Sequence, residues 1–225
     1  TGSSTGRQAR YADSMYQHVF WDVGGTLVDT YPALDETLAD VVRRRGHQVD
    51  SSKVSRLTRR STGEAIHTLA GKFGIPAREF EDANRALKAR WEHTPAPVTP
   101  GARELMRAVR AAGGLNLVVT HRDRASAQSL IRGLGLIVDD LISASDGYPR
   151  KPDPTMHLAL LKRHGLDPAD CLGVGDRAID AQAAHAAGIA AAMLVSEHAP
   201  RSELAAYTVT RLDELRPHLH LGAAR

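Results

Sequence analysis

The sequence predicts an α/β fold, with a mainly parallel sheet, helices on both faces and an all-helical insertion near its start. Three observations point there. Short apolar runs alternate with segments of helical periodicity from residue 102 to about residue 195. Three runs stop at a polar side chain that chemistry can use: His18-Val19-Phe20-Trp21 before Asp22, Leu115-Asn116-Leu117-Val118-Val119 before Thr120, and Cys171-Leu172-Gly173-Val174-Gly175 before Asp176. Between Tyr31-Pro32 and the proline-rich Pro95-Ala96-Pro97-Val98-Thr99-Pro100-Gly101, apolar residues recur only at helical spacing. The result is a Rossmann-like three-layer core over residues 15–31 and 98–225, and a helical insertion over residues 32–97.

Taken in order, residues 1–14 are small and polar without periodicity, and read as a disordered leader or cloning remnant, with Met15 a natural start. The first strand ends at Asp22, and Gly24-Gly25 then lets the backbone turn sharply enough to aim amides at an anion. In the insertion, Leu34, Leu38, Val41 and Val42 share one helical face, as do Ile66, Leu69 and Phe73, and then Ala83, Leu87 and Trp91. Ala102–Ala112 forms a helix stopped by Gly113-Gly114. A strand to Thr120, a helix over 123–133 and a short strand at Leu141-Ile142-Ser143 follow. Pro152 and Pro154 help to start a helix over 153–164, placing Lys151 just before it. The strand to Asp176, an alanine-rich helix over 177–187 stopped by Gly188, and a strand over 189–195 complete the alternation. In such sheets, ligands sit outside the carboxyl ends of the strands, where Asp22, Thr120 and Asp176 converge. Asp180 falls one helical turn beyond Asp176 on the same face.

Composition narrows the function classes. Hydrophobic residues make up 42% of 225, and no apolar run approaches the length of a membrane span. The net charge of +3 is modest, and no basic stripe interleaved with aromatics suggests a nucleic-acid partner. The single cysteine, Cys171, excludes a disulfide framework and favours a reducing, cytoplasmic setting. His157, His164, His185 and His198 are scattered without zinc-ligand spacing. Nothing in the residues sets an oligomeric state.

The ordered set Asp22, Thr120, Lys151 and Asp176/Asp180 suits a phosphoryl group and a divalent cation. It resembles the haloacid dehalogenase superfamily, in the branch of helical-cap phosphatases similar to phosphoglycolate phosphatases, from Asp22 to about Val195. That resemblance implies that residues 32–97 form a cap that closes over the site and excludes water. It makes Asp22 the nucleophile and a magnesium ligand. It makes the Gly24 carbonyl and Asp176 the other protein ligands, with Asp180 in support. Thr120 would bond a phosphoryl oxygen, Lys151 would offset negative charge, and Gly25, Thr26 and His121 would line the substrate cradle. The implied partner is a small phosphorylated metabolite.

One position departs from the family. Most phosphatases of this branch carry a second aspartate two residues after the nucleophile, which protonates the leaving group and then activates water; here Gly24 stands there. Losing such a group costs ~10²–10⁴ in rate. His121 is the neighbour that titrates in the right range, while Asp29 faces the cap hinge. The same departure admits a weak phospho-ligand-binding or regulatory protein. It also admits a phosphonatase-like hydrolase using a cap lysine (Lys53, Lys72 or Lys88). A haloalkanoic acid dehalogenase would need a tyrosine at position 24 and a serine–asparagine pair where Thr120-His121 stands. The cap cations Arg43, Arg44, Arg45, Lys53, Arg56, Arg59 and Arg60 suffice to contact a carboxylate or second phosphate, although a solvated helix face explains most of them.

Overall fold

The computed structural model describes residues 15–94, 96–196 and 201–221. The leader expected over residues 1–14, along with Pro95 and His198, lies outside them.

Six parallel strands form one sheet: β1 (His18–Trp21), β2 (Asn116–Thr120), β3 (Asp140–Ser143), β4 (Cys171–Gly175), β5 (Ala190–Leu194) and β6 (Tyr207–Val209). They lie in the order β3-β2-β1-β4-β5-β6. The chain winds outward from β1 through β2 to β3, then crosses back to place β4 on the other side of β1. A crevice therefore opens between the carboxyl ends of β1 and β4, the usual ligand position in a doubly wound sheet. Register pairs Trp21 with Val174, so Asp22 and Gly175 leave the sheet side by side.

Side chains alternate across the sheet. Val19, Trp21, Val118, Leu141, Leu172 and Val174 join one apolar cluster, and Phe20, Leu117, Val119 and Ile142 join the other. Buried Asn116 is satisfied: it accepts from Trp21 Nε1 at 3.0 Å and donates to the Met106 carbonyl at 2.9 Å.

The insertion comprises α1 (Tyr31–Arg44), α2 (Ser51–Arg60), α3 (Thr62–Phe73) and α4 (Ala77–His93). Asp50 caps α2 through the Ser52 amide, Ser61 caps α3 through the Glu64 amide, and Gly74 ends α3 in the left-handed region. The expected stripes are the buried ones, with Leu38, Val42, Leu69, Leu87 and Trp91 inside. Where the chain enters and leaves, Asp29 N–H donates to the Pro97 carbonyl at 2.8 Å and Thr99 N–H to the Leu27 carbonyl at 3.0 Å. These rungs make a narrow two-stranded neck, and Asp29 lies in it as expected.

The remaining helices are α5 (Ala102–Ala111), α6 (Arg124–Gly133), α7 (Thr155–His164) and α8 (Ala178–Ala186). Thus α7 starts two residues later than the proline pattern suggested, and α8 is trimmed by one residue at each end. The sequence reading missed β6 and the 3₁₀ segment Leu212–His218. A three-residue strand is too short to show a period.

Candidate active site

The crevice is built by strand ends. Asp22 follows β1 and Asp176 follows β4. Lys151 reaches in from the loop before α7, and Asp180 lies in the first turn of α8. All four are buried. Lys151 Nζ lies 2.6 Å from Asp22 Oδ1 and 2.5 Å from Asp180 Oδ1, and donates to the Val119 carbonyl at 3.0 Å. One carboxylate oxygen from each of Asp22, Asp176 and Asp180 falls within a 4.8 Å cluster. Asp180 reaches this cluster because its Oδ2 accepts the Arg177 N–H at 3.0 Å, and because Gly175 presents no Cβ to clash with it. Asp176 is crowded in the same way. A Cβ on Gly25, whose φ is +91°, would sit 2.6 Å from Asp176 Oδ2.

The charges do not balance by themselves. Burial, then the neighbouring Asp180 and Asp22, pushes Asp176 up to about 7. Burial also raises Asp22, against the pull of Lys151. Asp180 is held below the usual carboxylate range, because Lys151 and Arg177 outweigh its burial. Lys151 is raised despite burial by Asp180 and Asp22. Three carboxylates thus face a deficit of positive charge at a point where hard oxygen donors converge. That donor set fits a small divalent cation such as magnesium.

A cavity of 580 Å³ opens beside Asp22 and Gly24, and Thr120, His121 and Arg177 also line it. The Thr120 hydroxyl accepts the Arg122 N–H at 3.1 Å, which leaves its proton to donate. His121 is partly buried, with Nε2 unpartnered. Burial and the charges of Lys151, Arg150 and Arg177 hold its pKa down to about 3. That environment favours the neutral imidazole.

Two residues expected in the substrate cradle also hold the turn together. Thr26 is fully buried and its hydroxyl donates to Asp176 Oδ1 at 3.3 Å, so it steadies a carboxylate. The Gly25 N–H donates to the Val28 carbonyl at 2.8 Å, so the turn consumes this amide internally. Gly25 lines a second, smaller cavity of 280 Å³ on the Asp176 side.

Sequence reasoning missed several neighbours. The Tyr31 hydroxyl donates to Asp176 Oδ2, and the Arg59 guanidinium lies 3.8 Å over the Tyr31 ring. Arg177 borders Asp22 in the cavity with Nε unpartnered, and despite burial it is held charged by Asp22, Asp180 and Asp176. Its position between Asp176 and Asp180 was the available signal; Tyr31 offered none. The cap arginines take the solvated role: Arg43 pairs with Glu36 and Asp40, Arg45 with Glu79, and Arg60 with Glu64, while Arg59 binds Asp35 at 3.1 Å. Of the three cap lysines, Lys88 lines the larger cavity, whereas Lys72 sits beside Lys53 at the surface. His157 is buried against Phe20, 5.6 Å between ring centroids, so it is a core residue. Cys171 is buried and free.

A family model for haloacid dehalogenase-like hydrolases matches residues 16–188, spanning β1 to β4, the insertion and all four buried charges. The chain belongs to the haloacid dehalogenase-like hydrolases. A phosphoglycolate phosphatase from Rhodospirillum rubrum is 30% identical over 187 residues, covering 78% of each chain. A validoxylamine A 7'-phosphate phosphatase from Streptomyces hygroscopicus subsp. limoneus is 29% identical, covering 82% of this chain and 88% of its own. Among solved structures, a hydrolase from Streptococcus pneumoniae superposes with a TM-score of 0.62 at 28% identity, over 78% of this chain and 91% of the other. A hydrolase of this family from Deinococcus radiodurans, with bound phosphate and sodium, shares the fold with a TM-score of 0.76 at 24% identity, over 91% and 95%. Among the described residues, no helix is long and apolar enough to cross a membrane.

Proposed function

We propose that this hydrolase is a magnesium-dependent phosphomonoesterase that acts on a small phosphorylated metabolite through an aspartyl phosphate on Asp22. The observation that carries this reading is the single buried ammonium of Lys151 bridging Asp22 and Asp180, with Asp176 in the same oxygen cluster and a cavity opening at Asp22. The names of the two relatives support a phosphatase and disagree on the substrate.

Asp22, the Gly24 carbonyl and Asp176 would hold magnesium, with Asp180 in support, and the ion would supply the positive charge that lets a carboxylate approach a phosphoryl dianion. Asp22 attacks phosphorus, and the bond to the leaving oxygen breaks. Thr120 O–H and the Arg177 guanidinium, both lining the cavity, donate to phosphoryl oxygens, and Lys151 fixes the attacking carboxylate through Oδ1. The leaving oxygen takes its proton from solvent, since Gly24 offers none and His121 is neutral. Water then attacks the aspartyl phosphate at phosphorus, releasing inorganic phosphate and restoring Asp22. Without an acid at position 24, the favoured substrates are those whose leaving groups need little protonation: acyl phosphates, aryl phosphates and phosphoanhydrides. The helices of residues 32–97 act as a cap that flexes at the Val28–Val98 neck.

The test is phosphate release with and without Mg²⁺ over alkyl, aryl and acyl phosphates, with Asp22→Asn as control. Metal-dependent release biased toward good leaving groups, and lost in the control, is the expected result. Silence across the panel on folded protein would refute the assignment.

A further inference from the structure

One cap arginine is unlike the others. Arg43, Arg45 and Arg60 leave 41, 55 and 63% of their side chains exposed and pair with acids at the surface, whereas Arg59 leaves 13%. Its anchor, Asp35 of α1, is equally withdrawn at 12% and is hydrogen-bonded through both oxygens. Asp35 accepts from Arg59 Nη1 at 3.1 and 3.3 Å, and from the Ser55 and Thr58 hydroxyls at 2.5 Å each. Buried pairs of this kind add little net stability, because desolvation offsets their attraction. When well hydrogen-bonded they do fix the geometry of whatever they hold.

Here that is Tyr31. The Arg59 guanidinium lies 3.8 Å over its ring, and the Tyr31 hydroxyl donates to Asp176 Oδ2. Tyr31 opens α1, two residues beyond Asp29 in the neck, so a cap residue reaches the carboxylate that follows β4. The core leaves room for that contact: a Cβ on Gly25 would sit 2.5 Å from Tyr31 Cε2 and 2.6 Å from Asp176 Oδ2. The core's own hydroxyl donor to Asp176, Thr26, lies at 3.3 Å, beyond the usual O–H···O range. The aim of the Asp176 carboxylate therefore depends on the cap.

We propose that Arg59 is a positioning residue for the cation site: anchored by Asp35, it fixes Tyr31, and Tyr31 fixes the Asp176 carboxylate. Arg59 lines the smaller cavity and not the one at Asp22, and no ion pair joins it to Asp22, Asp176 or Asp180. Its influence therefore passes through the Tyr31 ring. Cation affinity becomes linked to how the cap is seated, and the link is reciprocal: a cation that favours the Tyr31-bound aim of Asp176 stabilises the seated cap by the same factor. This role rests on Asp176 as a cation ligand, as in the proposed function, and is independent of the substrate.

The experiment is calorimetry of Mg²⁺ binding to the full chain, without substrate. Arg59→Gln is expected to weaken binding by about 3- to 10-fold, and Arg59→Lys, which keeps a cation for the ring, to recover part of the loss. In a Tyr31→Phe background the hydroxyl is already gone, so Arg59→Gln should change affinity by less than about twofold. An arginine that only braces α1 against α2 would lower Tm in both backgrounds and act on affinity equally in each. If Arg59→Gln fails to fold, Asp35→Asn loosens the same anchor and should weaken binding in the same direction. Hydrogen exchange reads the reciprocal effect: Mg²⁺ should slow exchange of α1 and α2 amides several-fold in the wild type and not in Tyr31→Phe. An affinity indifferent to these variants, equal losses in the two backgrounds, or exchange unmoved by Mg²⁺ would overturn the inference. If no phosphate ester is hydrolysed, the phosphatase reading fails alone and these measurements still decide. Absence of Mg²⁺ binding would overturn the positioning role even where hydrolysis persists.

Discussion

Around Asp22 three buried carboxylates gather beside one lysine at the strand ends, whereas Lys88 and Arg150 border the same cavity from α4 and from the loop before Lys151. The floor of the cavity is set by strand ends: two adjacent parallel strands deliver Asp22 and Asp176, and one lysine ties Asp22 to Asp180 at 2.6 and 2.5 Å. The wall is set by how a helical insertion leans over the sheet. The difference teaches that strand ends and helical insertion shape separate parts of one cavity. The floor is buried, and burial strengthens its charged contacts. The wall is open to solvent, and its contacts gain strength only when a ligand displaces water.

The largest expected effect strikes the one gap in the floor. A Cβ on Gly24 would have Thr30 Oγ1 as its nearest neighbour, at 3.7 Å, so a side chain fits there without strain. Gly24→Asp should raise kcat on alkyl phosphates by ~10²–10⁴ and change acyl phosphates little. No gain in steady-state kinetics would show that the floor has diverged at more than this position.

Next comes the tie itself. Lys151→Met leaves Asp22 and Asp180 buried without their counter-charge, so unfolding free energy should drop by about 3–5 kcal/mol. Chemical denaturation would reveal it, and a drop within the range of surface substitutions would mean that the carboxylates are satisfied without Lys151.

Tyr31 sharpens the contrast, because it carries a cap residue down to the floor. Its hydroxyl orients Asp176, and Tyr31→Phe should weaken apparent Mg²⁺ affinity by ~10–100-fold. An affinity that rises instead would make the hydroxyl a competitor for that oxygen.

The smallest effect is a pH dependence. Asp176 is held up to about 7, against an ordinary carboxylate near ~4. Between those values the folded chain binds a proton that the unfolded chain does not, so metal-free stability falls as pH rises through that window. Cation binding needs the ionised form. Mg²⁺ should therefore raise Tm more at pH 8 than at pH 5, and an equal shift at both would remove Asp176 from the ligand set.

The floor was legible in the sequence and most of the wall was not, for physical reasons. A buried parallel strand announces itself as a short apolar run, and the residue that ends it must lie at the ligand edge. Asp22, Thr120 and Asp176 are therefore legible as ligand-edge residues from the sequence itself. Lys151 was framed by its prolines, and the stripes at Leu38, Leu69 and Leu87 gave the insertion. A helical period tells which face is buried, not what the opposite face looks toward. Lys88 was thus one cap lysine among three, and Arg122 and Arg150 were loop residues without pattern. The arginine run at Arg43 to Arg45 is dense, and acids within α1 and on α4 absorb Arg43 and Arg45, as the solvated-face reading expects. Gly25 and Thr26 lie in the expected turn, where the Gly25 N–H bonds the Val28 carbonyl and the Thr26 hydroxyl bonds Asp176.

The central claim, that Asp22 is the nucleophile, is tested most directly by acid-quenched intact-mass spectrometry during turnover of an acyl or aryl phosphate with Mg²⁺. Because Gly24 also lacks the base that would activate water, the phosphoenzyme should accumulate. The account predicts an adduct of one phosphoryl group, mapped to Asp22 and lost in Asp22→Asn. Phosphate release with no adduct, or with the adduct on another residue, would contradict it.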